Sequence, residues 1–374
     1  MQITAAVMEK TDGALTRRKI TLEQLDLDEP RKDEVLVRIS SCGVCGTDRG
    51  VIHGLEPIAT PCVLGHEGAG IVEAVGEEVT LVRPGDRVMI GFPFCGQCRS
   101  CRRGDPRYCE NGAGLMFSGR RLDGSGSMRR QNGEEIGGRF LQQSSWSTHT
   151  IALEHQLAKV PEAMNLDLAG PLGCSISTGA GTVLNELRPG PGASIAIFGA
   201  GNVGLAAVMA ARLTGATKII AIDKEPSRLE LARELGATHS VEHSAGTAAE
   251  LKALVGEHLD YSIEATDGAN LVEEAVTALG FRGTCAMVGG AKATATVKAK
   301  HLDVLTHGKR LVGILGGGGQ TPMFLEALMD LHVQGRFPLE KLVKFYPFED
   351  INQAIDDSDN GAAIKPVLRM HHHA

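Results

Sequence analysis

The chain has 374 residues, 43% hydrophobic and 22% charged, with a net charge of −7 at neutral pH. That length holds two or three domains, each with its own core. The acidic balance argues against a surface that coats nucleic acid, and no run approaches the roughly 18 apolar residues that span a bilayer. Residues 1–7 lack the basic and apolar regions of a secretory signal, so a soluble, cytoplasmic protein with a small-molecule substrate is expected. Glycine is the outlier, at 47 of 374. The average is about 7%, and no collagen-like period accompanies the excess, which implies many tight turns.

Short β-rich stretches at 34–40, 70–75 and 86–90 alternate with glycine and proline turns, predicting a largely antiparallel domain over residues 1–175. Cys45-Gly-Thr-Asp48 and Gly65-His-Glu67 lie within it, and Cys174 closes it. Cys45, His66 and Cys174 offer two thiolates and one imidazole, three protein ligands with one position open, which is the arrangement of a catalytic zinc. The plain alternative is two small core cysteines and a buried, hydrogen-bonded histidine. Between them runs Cys95-x2-Cys98-x2-Cys101-x7-Cys109. Without a secretory signal, clustered cysteines point to metal more than to disulfides. Four thiolates make a closed tetrahedral shell for zinc, whose negative charge Arg99, Arg102 and Arg103 would offset; an iron–sulfur cluster is the competing occupant. Residues 112–138, with eight glycines and little apolar periodicity, predict a long surface loop.

Residues 193–198 predict a buried strand. It runs into Gly199-Ala-Gly-Asn-Val-Gly204 and an alanine-rich helical stretch at 205–213. The next strand, 217–222, ends at Asp223, nineteen residues beyond Gly204. That order and spacing define a dinucleotide-binding unit. Gly199 permits the tight turn, Gly201 lets the backbone approach a pyrophosphate, and Gly204 permits close helix–strand packing. The helix start at Asn202 and Val203 offers N–H groups to the phosphates. Asp223 would accept hydrogen bonds from the adenosine ribose and repel a 2′-phosphate. Lys224 and Arg228 soften that repulsion, so NAD is favoured over NADP. Helical stretches at 225–235 and 269–279 alternate with strands at 259–265, 284–289 and 309–315, predicting a doubly wound parallel sheet over 176–315. A sheet edge near 284–289 would support a homo-oligomer, dimer or tetramer. Residues 316–319 are all glycine, and a helical stretch at 323–334 and residues 341–369 complete a third segment, 316–374. The terminal His371–His373 are set aside from metal chemistry.

The stretch Gly65-His-Glu-Gly-Ala-Gly70, with Gly76 and Val79 downstream, is similar to the signature of the zinc-containing medium-chain alcohol dehydrogenases. The four-cysteine loop and Gly199–Gly204 follow in that family's order, and the resemblance covers nearly the whole chain. It implies an α/β protein: a GroES-like, β-rich catalytic domain with both zinc sites, a Rossmann domain, and a C-terminal return to the catalytic domain. Substrate and nicotinamide would meet between the two domains. Residue by residue, it implies a catalytic zinc on Cys45, His66 and Cys174, with Glu67 as an exchanging ligand, and a structural zinc on Cys95, Cys98, Cys101 and Cys109. Asp48 would orient His66, Thr47 would take the substrate proton, Thr178 would pack on the nicotinamide, and Lys365 would lie near the pyrophosphate. Gly46 stands where some members carry a base, and Gly50 where many carry a relay histidine; His53 is the nearby replacement. The 112–138 segment and Phe140-Leu-Gln-Gln-Ser-Ser-Trp-Ser147 most resemble aryl-alcohol (benzyl alcohol) dehydrogenases, with Phe92, Phe140 and Leu141 lining the pocket. The implied reaction is reversible, NAD-dependent oxidation of a hydrophobic primary alcohol. Glutathione-dependent formaldehyde dehydrogenases share the framework. From another class, a non-catalytic zinc- and NAD(H)-binding sensor would use the same residues.

Overall fold

The computed structural model describes residues 1–9, 20–55, 58–266, 270–290, 294–319 and 322–370; the terminal histidines lie outside them. Met1–Cys174 and the C-terminal segment form one compact unit, and Ser175–Gly319 forms the other. The C-terminal return thus begins just after the glycine run.

In the first unit the strand Glu34–Gly43 is the hub. Its Val35, Val37 and Ile39 are fully buried, as a strand covered on both sides requires. It pairs antiparallel with Gly68–Val75, with His149–Leu153 and, at its far end, with Lys365–Arg369, where Val367 faces Gly43. Arg87–Ile90, Leu157–Lys159 and Val343–Pro347 extend this sheet. The chain leaves the hub at Val44, and Cys45 caps the helix Gly46–Ile52.

A second sheet in this unit runs in the order Cys62–Val63, Gln2–Met8, Ile20–Leu27, Met128–Arg129, Glu135–Ile136. Its last two strands fall inside the segment expected to be a long loop, which also holds the helix Gly112–Phe117. The segment is fastened to the body: Arg121 donates to both oxygens of Glu34, at 2.8 and 3.0 Å. Pairings two residues long leave no apolar period to read, although Met128 and Ile136 face each other buried.

The second unit holds, among the described residues, a parallel sheet in the order His239–Glu242, Lys218–Asp223, Ser194–Phe198, Tyr261–Glu264, Thr284–Met287, Arg310–Gly313. Chain order reverses beside Ser194–Phe198, and open sheets of this kind bind ligands beyond the carboxyl ends of their strands at that point. Thr284–Met287 is an interior strand, not the expected edge. The outer position belongs to Arg310–Gly313, all four of whose residues are exposed. Register explains the difference: residues 284–287 pair on both sides, which a linear reading of strands cannot show.

Candidate metal and nucleotide sites

One carboxylate organises the buried centre. Asp48, wholly buried on the first turn of Gly46–Ile52, accepts from the Cys45 N–H through Oδ2 at 2.9 Å. Its Oδ1 accepts from the Gly65 N–H at 3.1 Å and lies 2.9 Å from His66 Nδ1. The helix start and the Gly65–His66 turn are thereby tied together, and Nε2 is left as the outward nitrogen. Nε2 is buried and, among the described residues, has no hydrogen-bond partner. A buried polar atom is rarely left so, and an imidazole whose other nitrogen rests on a carboxylate is prepared to bind metal. The Sγ atoms of Cys45 and Cys174 are 3.8 Å apart. Ligand atoms of Cys45, His66, Glu67 and Cys174 all lie within 4.8 Å of one another, all four residues buried. The thiol–thiol contact holds Cys45 well below the usual thiol range and, with burial, pushes Cys174 well above it. A divalent cation between them would let both ionise, and two thiolates with an imidazole suit zinc.

Behind this cluster, Lys365 Nζ lies 2.7 Å from Glu67 Oε2 and donates to Val44 O at 3.1 Å, both side chains fully buried. Gly43 makes room: a Cβ there would fall 2.0 Å from Glu67 Oε2. Burial lowers the lysine's affinity for its proton, but Glu67, Cys45 and Cys174 more than offset this and hold it above the ordinary lysine value. Burial, against Lys365, raises the Glu67 carboxyl. Lys365, which the resemblance implies near a pyrophosphate, here pairs its ammonium with Glu67.

Phe140 and Leu141 also depart from expectation. Phe140 is fully buried with its ring edge-on to His66, centroids 5.5 Å apart at 84°, so it braces the imidazole and presents no surface to a pocket. Leu141 is equally buried, in a segment where Leu141, Gln142 and Ser144 take left-handed φ values of 44°, 54° and 52°. That turn delivers Gln143, a residue the sequence did not single out. Its Nε2 donates to His66 O at 3.0 Å and its Oε1 accepts from Gly68 N at 3.2 Å. The only trace of it in sequence is a polar Gln-Gln-Ser-Ser run inside core. Phe92 is half-buried, and Thr47 is half-buried beside Asp48. His53 is exposed, with Nε2 3.0 Å from Asp359 Oδ2, whose other oxygen accepts from Arg49 Nε at 2.6 Å.

The second cluster is local. Cys95, Cys98, Cys101 and Cys109 bring four sulfurs within 4.8 Å of one another. Backbone amides fold onto the sulfurs: Cys98 N to Cys95, Cys101 N to Cys98 and Cys95 N to Cys109, at 3.4–3.5 Å. Burial opposes ionisation of Cys95, but the N–H groups of Gln97 and Cys98 outweigh it and bring Cys95 down to about 6. Cys101 is pushed up to about 12 by burial and by Cys98. The four cannot all ionise without a counter-charge, which a closed-shell zinc supplies. Arg99, Arg102 and Arg103 stand exposed around the loop.

In the second unit, Gly199 has φ 96°, and a Cβ on Gly204 would fall 1.7 Å from Gly199 O. A Cβ on Gly201 would meet nothing within 4 Å, so open space lies at the start of the helix Asn202–Arg212, an end of a helix that suits an anion. Asn202 Oδ1 accepts from Val203 N at 2.9 Å. Asp223, buried at the end of its strand, accepts from Ala200 N through Oδ2 at 2.6 Å and from Glu225 N through Oδ1 at 3.0 Å. Lys224 is exposed and Arg228 half-buried nearby. Thr178 lies on the helix Ser175–Gly181, which packs closely on the dinucleotide helix: a Cβ on Gly179 would fall 2.0 Å from Val203 O.

Residues 31–162 match the alcohol dehydrogenase GroES-like domain and residues 202–332 the zinc-binding dehydrogenase domain. The chain belongs to the zinc-containing medium-chain alcohol dehydrogenases. It is 40% identical over 367 residues to the geraniol dehydrogenase of Castellaniella defragrans, spanning 97% of this chain and 96% of that protein. Among solved structures it is similar to an alcohol dehydrogenase zinc-binding domain protein from Burkholderia ambifaria, with a TM-score of 0.95 and 42% identity over 100% of both chains. It is also similar to the benzyl alcohol dehydrogenase of Acinetobacter calcoaceticus, with a TM-score of 0.94 and 37% identity over 99% of this chain and 100% of that one. The protein is a zinc-dependent alcohol oxidoreductase that works with a nicotinamide cofactor.

Proposed function

We propose that the chain oxidises, reversibly and with NAD⁺ as hydride acceptor, a hydrophobic primary alcohol whose carbinol carbon adjoins an aromatic ring or a double bond. The observation that carries this reading is the His66 Nε2, without a hydrogen-bond partner among the described residues, clustered with the thiols of Cys45 and Cys174. Zinc on those three residues supplies Lewis acidity that lowers the pKa of an alcohol toward neutrality. The rest falls to the chain's own groups. Asp48 keeps His66 in one tautomer, and Thr47 takes the hydroxyl proton and passes it outward, with His53 and Asp359 as the acceptor pair at the surface. Glu67, paired with Lys365, would lie beside the metal as an exchanging ligand. Gly199–Gly204 and the start of its helix seat the pyrophosphate, and Thr178 backs the nicotinamide. Asp223 binds the adenosine ribose. Both its oxygens are held by backbone N–H groups, so it cannot turn away from a 2′-phosphate, which favours NAD. A second zinc in the four-cysteine loop is structural.

Geraniol and benzyl alcohol, the substrates that two relatives are named for, are both primary alcohols with the carbinol carbon attached to an unsaturated carbon. The aldehyde formed from such an alcohol is stabilised by conjugation. The outer strand Arg310–Gly313, exposed along its length, would be the face at which a second copy of the chain associates. The test is NADH formation, followed by its absorbance, with benzyl alcohol, geraniol, hexanol and formaldehyde plus glutathione. Benzyl alcohol and geraniol should be turned over fastest and NAD⁺ preferred over NADP⁺. Turnover confined to formaldehyde plus glutathione, or none with any alcohol, would contradict the reading.

A further inference from the structure

His243 and Glu274 form a pair in the second unit that the chemistry above leaves unused. His243 is the first residue beyond the strand His239–Glu242, at the carboxyl ends of the parallel sheet. Its N–H donates to Asp223 O at 2.9 Å, continuing the ladder in which Glu242 faces Asp223, so it stands beside the acid assigned to the adenosine ribose. The residues that follow hold it there: Ser244 N donates to Thr247 Oγ1 at 2.8 Å, and that hydroxyl donates back to Ser244 O at 2.9 Å. The imidazole reaches the helix Asn270–Thr277, with Nε2 2.9 Å from Glu274 Oε2. That helix buries Val272, Ala275 and Val276 in the same core cluster as Phe198, Ile222 and Val241, so one packed base supports both partners. Their side chains are 31% and 27% exposed. The ring is therefore open to a ligand, and a pair this accessible contributes little to stability. Its chemistry fixes what it can recognise. A carboxylate only accepts, so Nε2 carries the hydrogen, and in the neutral ring Nδ1 is left as an acceptor. An acceptor suits an amino group and repels a carbonyl oxygen.

We propose that His243 is a specificity-determining residue that reads the base of the dinucleotide, its Nδ1 accepting from the 6-amino group of adenine, and that Glu274 is the positioning residue that fixes its tautomer. The base of a nucleotide is joined to the ribose one carbon away from the 2′-hydroxyl that Asp223 would bind, so it must lie among the groups that flank Asp223 at the carboxyl ends of the strands. His243 is such a group, and its side chain spans from that strand end to the helix Asn270–Thr277. The proposal rests on the dinucleotide-binding reading of this unit and is independent of which alcohol is oxidised. It adds a selection against purines that carry a 6-carbonyl, hypoxanthine and guanine, because a ring held by Glu274 cannot move its proton to Nδ1 without setting a bare Nε2 against a carboxylate.

The experiment measures, by calorimetry on the zinc-loaded protein at pH 8, the dissociation constants of NADH and of its hypoxanthine analogue, in which a carbonyl oxygen replaces the 6-amino group. The wild type should bind NADH more tightly by about fivefold or more, as one hydrogen bond made or misplaced allows. Equal binding overturns the proposal and leaves the dinucleotide site standing; binding of neither overturns that site and the proposal with it. In His243→Phe, which keeps a flat ring and loses the acceptor, the ratio should fall to about one, and an undiminished ratio overturns the assignment. Glu274→Gln separates orientation from mere support, and it carries the decision if His243→Phe does not fold. An amide can donate as well as accept, so the ring becomes free to protonate either nitrogen, and the ratio should again fall toward one. A lower melting temperature with the full preference for NADH kept would make the pair a structural tie and overturn the proposal.

Discussion

The two cysteine clusters of the first unit solve different problems. The four-cysteine loop gathers its donors within fifteen residues, partly exposed, all of one kind, and wrapped by its own backbone amides. The other cluster draws Cys45, His66, Glu67 and Cys174 from distant segments into a buried site, with mixed donors and a carboxylate behind the imidazole. A closed shell of like donors suits a site that holds a fold together. An open, heterogeneous one suits a site that must admit a ligand and tune a proton.

That contrast can be broken by mutation. The largest effect is expected from Cys174→Ala. Losing a ligand of the buried centre should cut turnover by about a thousandfold or more, on the order of 4 kcal/mol of barrier, with the melting temperature little changed; a wild-type rate with full zinc content would remove Cys174 from the site. Cys98→Ser should do the reverse. It should lower Tm by roughly 10 °C, as a loss of about 3–5 kcal/mol would, and calorimetric scans that match the wild type would deny the loop a structural role. Asp48→Asn should keep the fold and weaken metal binding about 10–100-fold, read by chelator competition; unchanged affinity would mean that His66 needs no orienting carboxylate. The smallest effect is expected from Asp223→Gly in the second unit. It should narrow the preference for NAD⁺ over NADP⁺ by about tenfold or more, since a hydrogen bond to a charged group contributes about 1.5–3 kcal/mol; an unaltered ratio would take Asp223 out of ribose binding.

Legibility in the sequence followed locality. The four-cysteine loop, the glycine turn from 199 to 204 and the acid at 223 are short-range patterns, and each was readable because its geometry is set within a few turns of chain. The buried cluster was readable as a donor set of two thiolates and an imidazole, but nothing local joins Cys45 to Cys174 across 129 positions, and its assignment leaned on the resemblance. What escaped is what long-range packing decides. The pairing of Lys365 with Glu67 joins residues 298 positions apart, on a strand whose own partner is the hub near Gly43. Gln143 and Phe140 support His66 only because three residues in left-handed conformations bend the chain back onto it. The two-residue strands within 112–138 carry no period to detect.

Elemental analysis of zinc per chain, made on the wild type and on Cys98→Ser with turnover measured on the same samples, tests the central claim most directly. Two ions in the wild type, and one in the variant with its turnover per folded chain retained, is the predicted result. A single ion in the wild type, lost in Cys98→Ser while alcohol oxidation continues, would contradict it.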